Sequence, residues 1–255
     1  MRHTSRTSLP IVIGVAVAGV ALSACADDTP STTAVTAVID PGDGGEYDPM
    51  VDRASFVETI DNAYLPLGPG SRWVYEDTSG AETERIEVIV TSDRREIMGI
   101  SATVVRDTVT VDGEVVEDTF DWFAQDGDGN VWYLGEATAE YEGGEVVSTD
   151  GSWEAGVDGA LPGIVMLASP SVGDAYRQEY YVGEAEDLAE VVRVGDEVDV
   201  ASGSFVDVVV IEEWNPFEPE TIEEKFYAPG VGVVLEVTTA GGEGRVELVA
   251  FVPGP

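Results

Sequence analysis

Side chains that could act as nucleophiles, bases or metal ligands are unevenly distributed in this sequence. The 255 residues include one histidine, His3, and one cysteine, Cys25, against 50 Asp and Glu residues. His3 lies in a segment interpreted below as a cleaved signal peptide, so the mature chain lacks an imidazole. This excludes Ser-His-Asp and Cys-His catalysis and zinc or copper sites built from His and Cys. Two kinds of carboxylate chemistry are still possible: acid/base catalysis, as in glycoside hydrolysis, and calcium binding. No local motif selects a pair of carboxylates, so we predict no catalytic residue.

One short loop has the spacing of calcium ligands. Asp126, Asp128 and Asn130 alternate with glycines, and their side-chain oxygens could hold one Ca²⁺ ion. An EF-hand loop also needs glycine at its sixth position and glutamate at its twelfth, where this chain has Val131 and Ala137. A polar β turn explains the same residues, because Asp and Gly are favoured in turns. We therefore favour the turn, with weak Ca²⁺ binding as the alternative and no other cofactor.

Aromatic residues in the middle of the chain could contact a ligand. Trp122, Trp132 and Trp153 could stack on sugar rings or line an apolar cleft. Met166 belongs to an apolar run, residues 164–167, that follows a Gly/Pro-rich stretch and could close over such a cleft as a flap. Packing in a core or in a buried strand explains the same residues equally well.

The beginning of the chain is typical of an export signal. A short basic segment, residues 2–6, precedes an apolar run, residues 9–22. That run is shorter than the about 20 residues of a transmembrane helix and suits the core of a signal peptide. It ends in Leu22-Ser23-Ala24-Cys25, which resembles the lipobox of bacterial lipoproteins. The resemblance implies cleavage after residue 24, lipidation of Cys25 through a thioether, and acylation of its amino group by a chain such as palmitate. It predicts a lipid anchor on the extracytoplasmic face of the cell membrane.

The charge of the predicted mature chain limits its partners. Of 12 basic side chains, Arg2 and Arg6 leave with the signal peptide and 10 stay, against 50 acidic ones. Such a surface repels nucleic acid and anionic headgroups, so we predict no nucleic-acid partner and attachment to the membrane by acyl chains alone. No disulfide can brace the domain. A hydrophobic core must stabilise it, and 44% apolar residues over this length suffice.

The rest of the chain divides into a linker and a β domain. Residues 25–50, rich in Asp, Thr, Pro and Gly, predict a flexible acidic spacer before a domain over 51–255. Ser55-Phe56-Val57-Glu58 has the pattern of a capping box and predicts a short helix to about Asn62. From there, β-branched and aromatic residues recur in short runs between glycine turns at 79–80, 112–113, 126–129, 143–144 and 241–242. These features predict an all-β, mainly antiparallel barrel, half-barrel or sandwich.

An internal repeat is suggested at an offset of about 104 residues. Gly70-Ser71-Arg72-Trp73 matches Gly173-Asp174-Ala175-Tyr176, and Trp122-Phe123-Ala124 matches Phe226-Tyr227-Ala228 one position later in register. The matches predict two meanders, about 64–136 and 168–252, although independent strands of similar length would also produce them. The stretches 64–75 and 226–232 are similar to those of β-rich bacterial lipoproteins whose activity is not known, and they imply no catalytic residues.

These patterns favour a non-enzymatic domain that binds a ligand or partner at the cell envelope: a small apolar ligand, a glycan or an envelope protein. A carboxylate-dependent hydrolase, such as a glycosidase, and a structural spacer without a ligand are the alternatives. Two carboxyl groups about 5–10 Å apart in a cleft, one with a raised pKa, would favour the hydrolase. An apolar cleft would favour the binding protein, and a filled core the spacer.

Overall fold

The computed structural model describes residues 47–80 and 83–255 and folds most of them into antiparallel strands. The strands are β1 (Arg72–Asp77), β2 (Glu84–Ile97), β3 (Ile100–Val111), β4 (Glu114–Gln125), β5 (Val131–Glu142), β6 (Glu145–Ser148), β7 (Trp153–Glu154), β8 (Leu161–Met166), β9 (Ala175–Arg177), β10 (Glu179–Tyr180), β11 (Leu188–Val200), β12 (Gly203–Trp214), β13 (Ile222–Ala228), β14 (Gly232–Ala240) and β15 (Arg245–Val252).

All fifteen strands belong to one sheet, in the order β10-β8-β5-β4-β3-β2-β1-β15-β14-β13-β12-β11-β9, with β6 and β7 paired to β5. The all-β, antiparallel prediction is confirmed. Of the three predicted shapes the half-barrel fits best, because the described residues form a single sheet and its ladder does not close into a barrel. The two ends of the ladder, β9 and β10, are neighbours in the chain with Gln178 between them.

The sheet is curled around one face. Val105 on β3 and Glu213 on β12 line the same cavity, although six strand spacings, roughly 29 Å in a flat sheet, separate their strands. The apolar core is likewise continuous through both halves, from Trp73 and Leu134 to Val209 and Leu248. The concave face is therefore enclosed, and its inward side chains determine what the interior can bind.

The predicted turns lie between strands, as expected. The β3–β4 connection is a two-residue hairpin in which Asp112 and Gly113 have φ of 53° and 82°. Positive φ at both central positions defines a type I′ turn, for which Asp-Gly is a favoured sequence. The sequence therefore sets the register of the hairpin that carries the acidic residues described below.

The predicted N-terminal helix is wrong. One 3₁₀ turn, Arg53–Ser55, is present, and its N-cap is Asp52, whose carboxylate accepts from the Ala54 amide at 3.0 Å. Phe56 is extended, and the amide of Val57 donates to the carbonyl of Gln125 at 2.9 Å. Val57 thus bonds to the end of β4, and the Ser55 hydroxyl donates to the carbonyl of Asp52 at 2.7 Å instead of capping a helix that follows it.

The folded domain begins earlier than predicted. Tyr47 is buried, packs against Tyr180 with ring centroids 5.1 Å apart, and donates its hydroxyl to the carbonyl of Pro162 at 2.7 Å. The last residues of the predicted linker are therefore part of the domain. The predicted signal peptide, Cys25 and the predicted linker up to residue 46 lie outside the described residues. Within the described part of the chain, no helix is long and apolar enough to cross a bilayer.

The two predicted repeats share a strand order. β2 to β5 pair consecutively in the first segment, and β11 to β14 do so in the second. The duplication itself stays a prediction. Superposing the two segments tests it: Trp73 should lie over Tyr176, and Trp122 over Phe226.

Candidate functional site

A cavity of about 270 Å³ lies on the concave face. Much of its wall is apolar or aromatic: Leu65, Leu67, Trp73, Tyr75, Ile86, Val88, Val105, Val109, Phe123, Tyr133, Val165, Tyr227 and Val246. Ile86, Val109 and Val246 are half-buried, whereas Trp73, Val105 and Tyr227 are buried. The half-buried residues mark the side from which solvent reaches the cavity, and the buried ones lie deeper.

Carboxyl groups line the same cavity on β3, β4 and β5. Asp107 on β3 is paired with Thr119 on β4, so Glu117 and Asp121 are its diagonal neighbours on the same face. Glu136 on β5 is directly opposite Asp121. We call Asp107, Glu117, Asp121 and Glu136 the acidic wall. Strand pairing brings these like charges together, an arrangement that destabilises a sheet unless protons or cations compensate.

A β-bulge turns Tyr133 and Glu136 to the same face, although they are three residues apart. The register shifts between Asp121 and Phe123, whose partners are Glu136 and Tyr133. Gly135, at the bulge, has φ of 125°, and a Cβ there would lie 2.3 Å from the carbonyl oxygen of Trp153. Only glycine fits both the backbone angle and the approach of β7.

The bulge places a tyrosine hydroxyl between two carboxyl groups. The Tyr133 hydroxyl oxygen is 2.6 Å from Oδ1 of Asp121 and 2.9 Å from Oε2 of Glu136, so these carboxyl oxygens are at most 5.5 Å apart. Burial raises the pKa of Asp121 to about 6. Burial, followed by the charge of Asp121, raises that of Glu136 to about 8. The tyrosine has one hydroxyl proton, and the geometry allows it to donate this proton to either carboxylate.

Asp107 lacks such a donor. Its Oδ1 is shielded from solvent and makes no hydrogen bond within the described residues. Burial raises its pKa well above the ordinary value, with the charges of Asp121 and Glu117 adding to the effect. Burial also raises the pKa of Glu117 to about 7, although the Thr119 hydroxyl donates to it at 3.2 Å.

The opposite wall carries the one lysine of the chain. Nζ of Lys225 is 2.5 Å from Oε2 of Glu213 and 3.8 Å from Glu236, and the amide of Gln178 donates to Oε1 of Glu213 at 2.8 Å. Burial lowers the pKa of Lys225, but the charges of Glu213 and Glu236 outweigh it, so that the pKa is raised. The lysine is therefore charged and already paired.

Two more carboxyl groups lie near the junction of β9 and β10. Glu179 lines the cavity and is 4% exposed, and Asp187 behind it is 2% exposed. Burial raises the pKa of Asp187 to about 7. Burial and the charge of Asp187 raise that of Glu179. These two groups extend the ionisable interior toward the Lys225 side.

The predicted calcium loop is a hydrogen-bonded turn. Oδ1 of Asp126 accepts from the amides of Asp128 and Asn130, and Oδ2 accepts from the Asn130 side chain and the Trp132 indole. Oδ1 of Asn130 accepts from the Ala168 amide at 2.9 Å. The arrangement favours the turn interpretation. Within residues 47–80 and 83–255, no group of three or more His, Cys, Asp or Glu side chains could hold a metal ion.

The four residues predicted to contact a ligand are all buried, and none lines the cavity. Arg95 lies 3.9 Å above the Trp122 ring. Trp132 packs edge-on against Phe56, and Trp153 against Tyr133. Met166 is fully buried in β8, between β5 and β10, as the buried-strand alternative to the flap requires. Trp122 and Trp153 do border a second pocket, of about 280 Å³.

Sequence reasoning missed the acidic wall. Glu117, Thr119, Asp121 and Phe123 alternate along β4 on the cavity face, whereas Phe120 between them is 37% exposed. A polar inward face with an aromatic residue outside inverts the usual alternation, so the strand was not recognisable as cavity-lining. The signal available in the sequence was the two-residue spacing of the polar residues Glu117, Thr119 and Asp121 before Phe123.

Comparison with known proteins adds little. No family model matches the chain, and no curated protein matches it. A crystal structure described as a "putative lipoprotein" from Parabacteroides distasonis ATCC 8503 aligns with 75% of this chain and 99% of its own, at 12% identity and a TM-score of 0.43. Similarity at that level does not establish a shared fold or function.

Proposed function

We propose that the protein is a lipid-anchored, extracytoplasmic domain that holds a small amphiphilic ligand in its cavity without transforming it. The anchor rests on the signal peptide and on Leu22-Ser23-Ala24-Cys25. The binding function rests on one observation: a single cavity combines an apolar and aromatic wall with ionisable groups. Ligand sites typically have this composition and measure about 300–1,000 Å³, so a cavity of about 270 Å³ suits a small ligand.

The polar interior argues against a purely structural spacer. Buried carboxyl groups cost stability, and apolar side chains of similar size would often stabilise the fold. A spacer gains nothing from Asp107, whose Oδ1 is shielded from solvent and has no hydrogen-bond partner in the described part of the chain. Departures from an apolar interior are expected where a protein binds something.

Glycoside hydrolysis is a second candidate, favoured by Asp121 and Glu136. Their oxygens are at most 5.5 Å apart, an upper limit that excludes the wider spacing of an inverting pair and allows the about 5–5.5 Å of a retaining one. The pKa of Glu136, raised to about 8, suits a general acid. The hydroxyl of Tyr133, however, occupies the position between them that the scissile bond would need. Binding without turnover is therefore the better-supported function.

A neutral fluorescent probe tests the binding function. We expect 2-naphthol to bind the purified protein saturably at one site. Val88 and Ile89 are neighbours on β2, and only Val88 lines the cavity. Val88→Trp should fill the cavity and weaken binding at least about tenfold, whereas Ile89→Trp should bind like the wild type.

Three results would contradict these proposals. Absence of saturable binding, with wild-type unfolding behaviour, would contradict the binding function. Equal weakening by both tryptophan variants would place the probe outside the cavity. Release of nitrophenol from nitrophenyl glycosides, lost in Glu136→Gln, would favour the hydrolase instead.

A further inference from the structure

The cavity has an uneven charge balance. Nine of its lining side chains are carboxylic, and Lys225 is the one basic side chain among the described residues that line it. The charge of the lysine is already balanced by Glu213 and Glu236. A fatty-acid carboxylate would therefore enter next to uncompensated carboxyl groups, which disfavours it.

The acidic wall has no internal cation. The largest electrostatic effects on the pKa of Asp107 come from the carboxyl groups of Asp121, Glu117, Glu236 and Asp118, all of which oppose its ionisation. The largest on Glu136 come from Asp121, Glu117 and Asp187, with the same sign. A positive charge from outside the chain is what this wall lacks.

Asp107 offers a specific position for that charge. Its Oδ1 is shielded from solvent and has no hydrogen-bond partner within the described residues, yet Asp107 lines the cavity. A buried acceptor without a donor costs about 1–3 kcal/mol, and more when charged. Asp107 as a whole is half-buried and lines the cavity, so a positive group placed against its carboxyl reduces the cost of ionising it there.

Apolar and aromatic groups adjoin the same position. Val88 is the cross-strand partner of Asp107 on β2. Tyr75, on β1, is close enough that the charge of Asp107 raises its pKa. Aromatic faces attract organic cations as well as apolar groups. The surroundings of Asp107 thus suit a positive group carried on an apolar body.

We infer, building on the proposed function, that the ligand is a small organic cation, an amine with an apolar body, whose charged group lies against Asp107 beside Asp121. The apolar body then packs between Val88 and Tyr75, toward the half-buried Ile86. The Lys225 group forms the opposite wall and limits the depth to which the cation can enter.

Binding of such a cation is linked to protons. At neutral pH the raised pKa values keep part of the acidic wall protonated. A bound cation favours the ionised forms, so protons leave as it binds and affinity rises with pH. The charged and titratable groups near Asp107 include Tyr75, Glu117, Asp118, Asp121 and Glu236. Glu136 lies opposite Asp121, and Lys225 lines the same cavity.

Two isosteric probes test this inference by calorimetry at about 0.15 M salt. 2-Phenylethylamine is a cation at neutral pH, whereas 2-phenylethanol has the same size and shape without the charge. We expect the amine to bind at least about tenfold more tightly, the factor of a charge-assisted hydrogen bond. Its affinity should increase from pH 5 to pH 8 with release of protons, and that of the alcohol should not.

Asp107→Asn should abolish the preference for the amine while keeping the shape of the site, and Asp121→Asn should reduce it. Asp128→Asn, which removes a charge from the exposed turn, should leave the preference unchanged. If Asp128→Asn weakens binding of the amine as much as Asp107→Asn does, the attraction is diffuse and the inference is overturned. An unchanged preference in Asp107→Asn would overturn the position assigned to the cation.

The probes separate the two proposals. Equal binding of amine and alcohol, blocked by Val88→Trp, would overturn the cation and leave the binding function standing. Failure of both probes and of 2-naphthol to bind would overturn the binding function and the inference together.

Discussion

The hydroxyl of Tyr133 lies 2.6 Å from Oδ1 of Asp121, a distance typical of a strong bond from a hydroxyl to a carboxylate. Both side chains are in the interior, where burial raises the pKa of each. The hydroxyl opposes this rise for Asp121, as it does for Glu136, by hydrogen bonding to their carboxyl groups. One tyrosine thus reduces the cost of two buried acids.

Tyr133→Phe should destabilise the protein, and more so at high pH. Without the hydroxyl, the pKa values of Asp121 and Glu136 rise further, so ionising them in the fold costs more. We expect a loss of about 1–3 kcal/mol in the free energy of unfolding, larger at pH 8 than at pH 5, in urea titrations. Tyr75→Phe is the matched control, because its hydroxyl donates to the Val233 carbonyl at 3.1 Å, and its loss should depend little on pH.

Stability should fall as pH rises from about 5 to about 8. The folded pKa values of Asp121, Glu117 and Glu136 are about 6, 7 and 8, above those of an unfolded chain. The folded state therefore holds more protons than the unfolded one in this range, which makes the slope of stability against pH negative. Thermal melts at constant salt measure it. Glu136→Gln should raise the melting temperature at pH 8 and not at pH 5, and a stability maximum near pH 8 would contradict the buried acids.

Removing Lys225 should be strongly destabilising. Lys225→Met leaves Glu213 and Glu236 in the interior without their cation, for which a loss of about 3–5 kcal/mol is expected. Adding Glu213→Gln should recover part of the loss, because the second substitution removes an unpaired charge. Arg193→Met is the control: Arg193 binds Glu224 but is 42% exposed, so about 1 kcal/mol or less is expected.

The bulge at Gly135 should tolerate no side chain. In Gly135→Ala the new Cβ meets the Trp153 carbonyl oxygen at 2.3 Å, so β7 must move or the bulge must unfold. Gly113→Ala has a comparable positive φ with nothing within 4 Å, and should lose only the roughly 1–3 kcal/mol of backbone strain. Denaturant titrations measure both losses. If Gly135→Ala loses no more free energy of unfolding than Gly113→Ala, β7 adapts freely to the new side chain.

The lipid anchor should depend on Cys25. Cys25→Ser should abolish incorporation of labelled fatty acid and move the protein from the membrane to the soluble fraction, with the domain folded. Ser31→Ala, six residues further on, should change neither. Labelling that persists in Cys25→Ser would contradict the lipobox interpretation.

Local sequence rules predicted the strands and turns because both depend on neighbouring residues. Asp112-Gly113 selects its hairpin through backbone angles that few other pairs adopt. The helix at Ser55 was mispredicted because the partner of Val57 is Gln125, 68 positions away, and a capping box carries no information about such a competitor.

The site was not predictable for a related reason. With 50 acidic residues, a buried carboxylate looks like an exposed one in the sequence, and only the pairing of β3, β4 and β5 brings Asp107, Asp121 and Glu136 together. Trp122 and Trp153 were predicted to contact a ligand because aromatic residues make up only 8% of the sequence. The structure places them in the packing around the wall, and the bulge that positions Glu136 depends on an approach of β7 that local rules do not encode.

The junction at Gln178 also bears on how the interior exchanges with its surroundings. The two end strands of the sheet meet there and are short: β9 has three residues and β10 has two, whereas β2 and β3 have fourteen and twelve. Short ladders separate at a lower free energy than long ones, because fewer bonds break together. Gln178 and Glu179 line the cavity. Local separation of β9 and β10 from their neighbouring strands would therefore give solvent or ligand a second entrance to the cavity while the long hairpins stay intact.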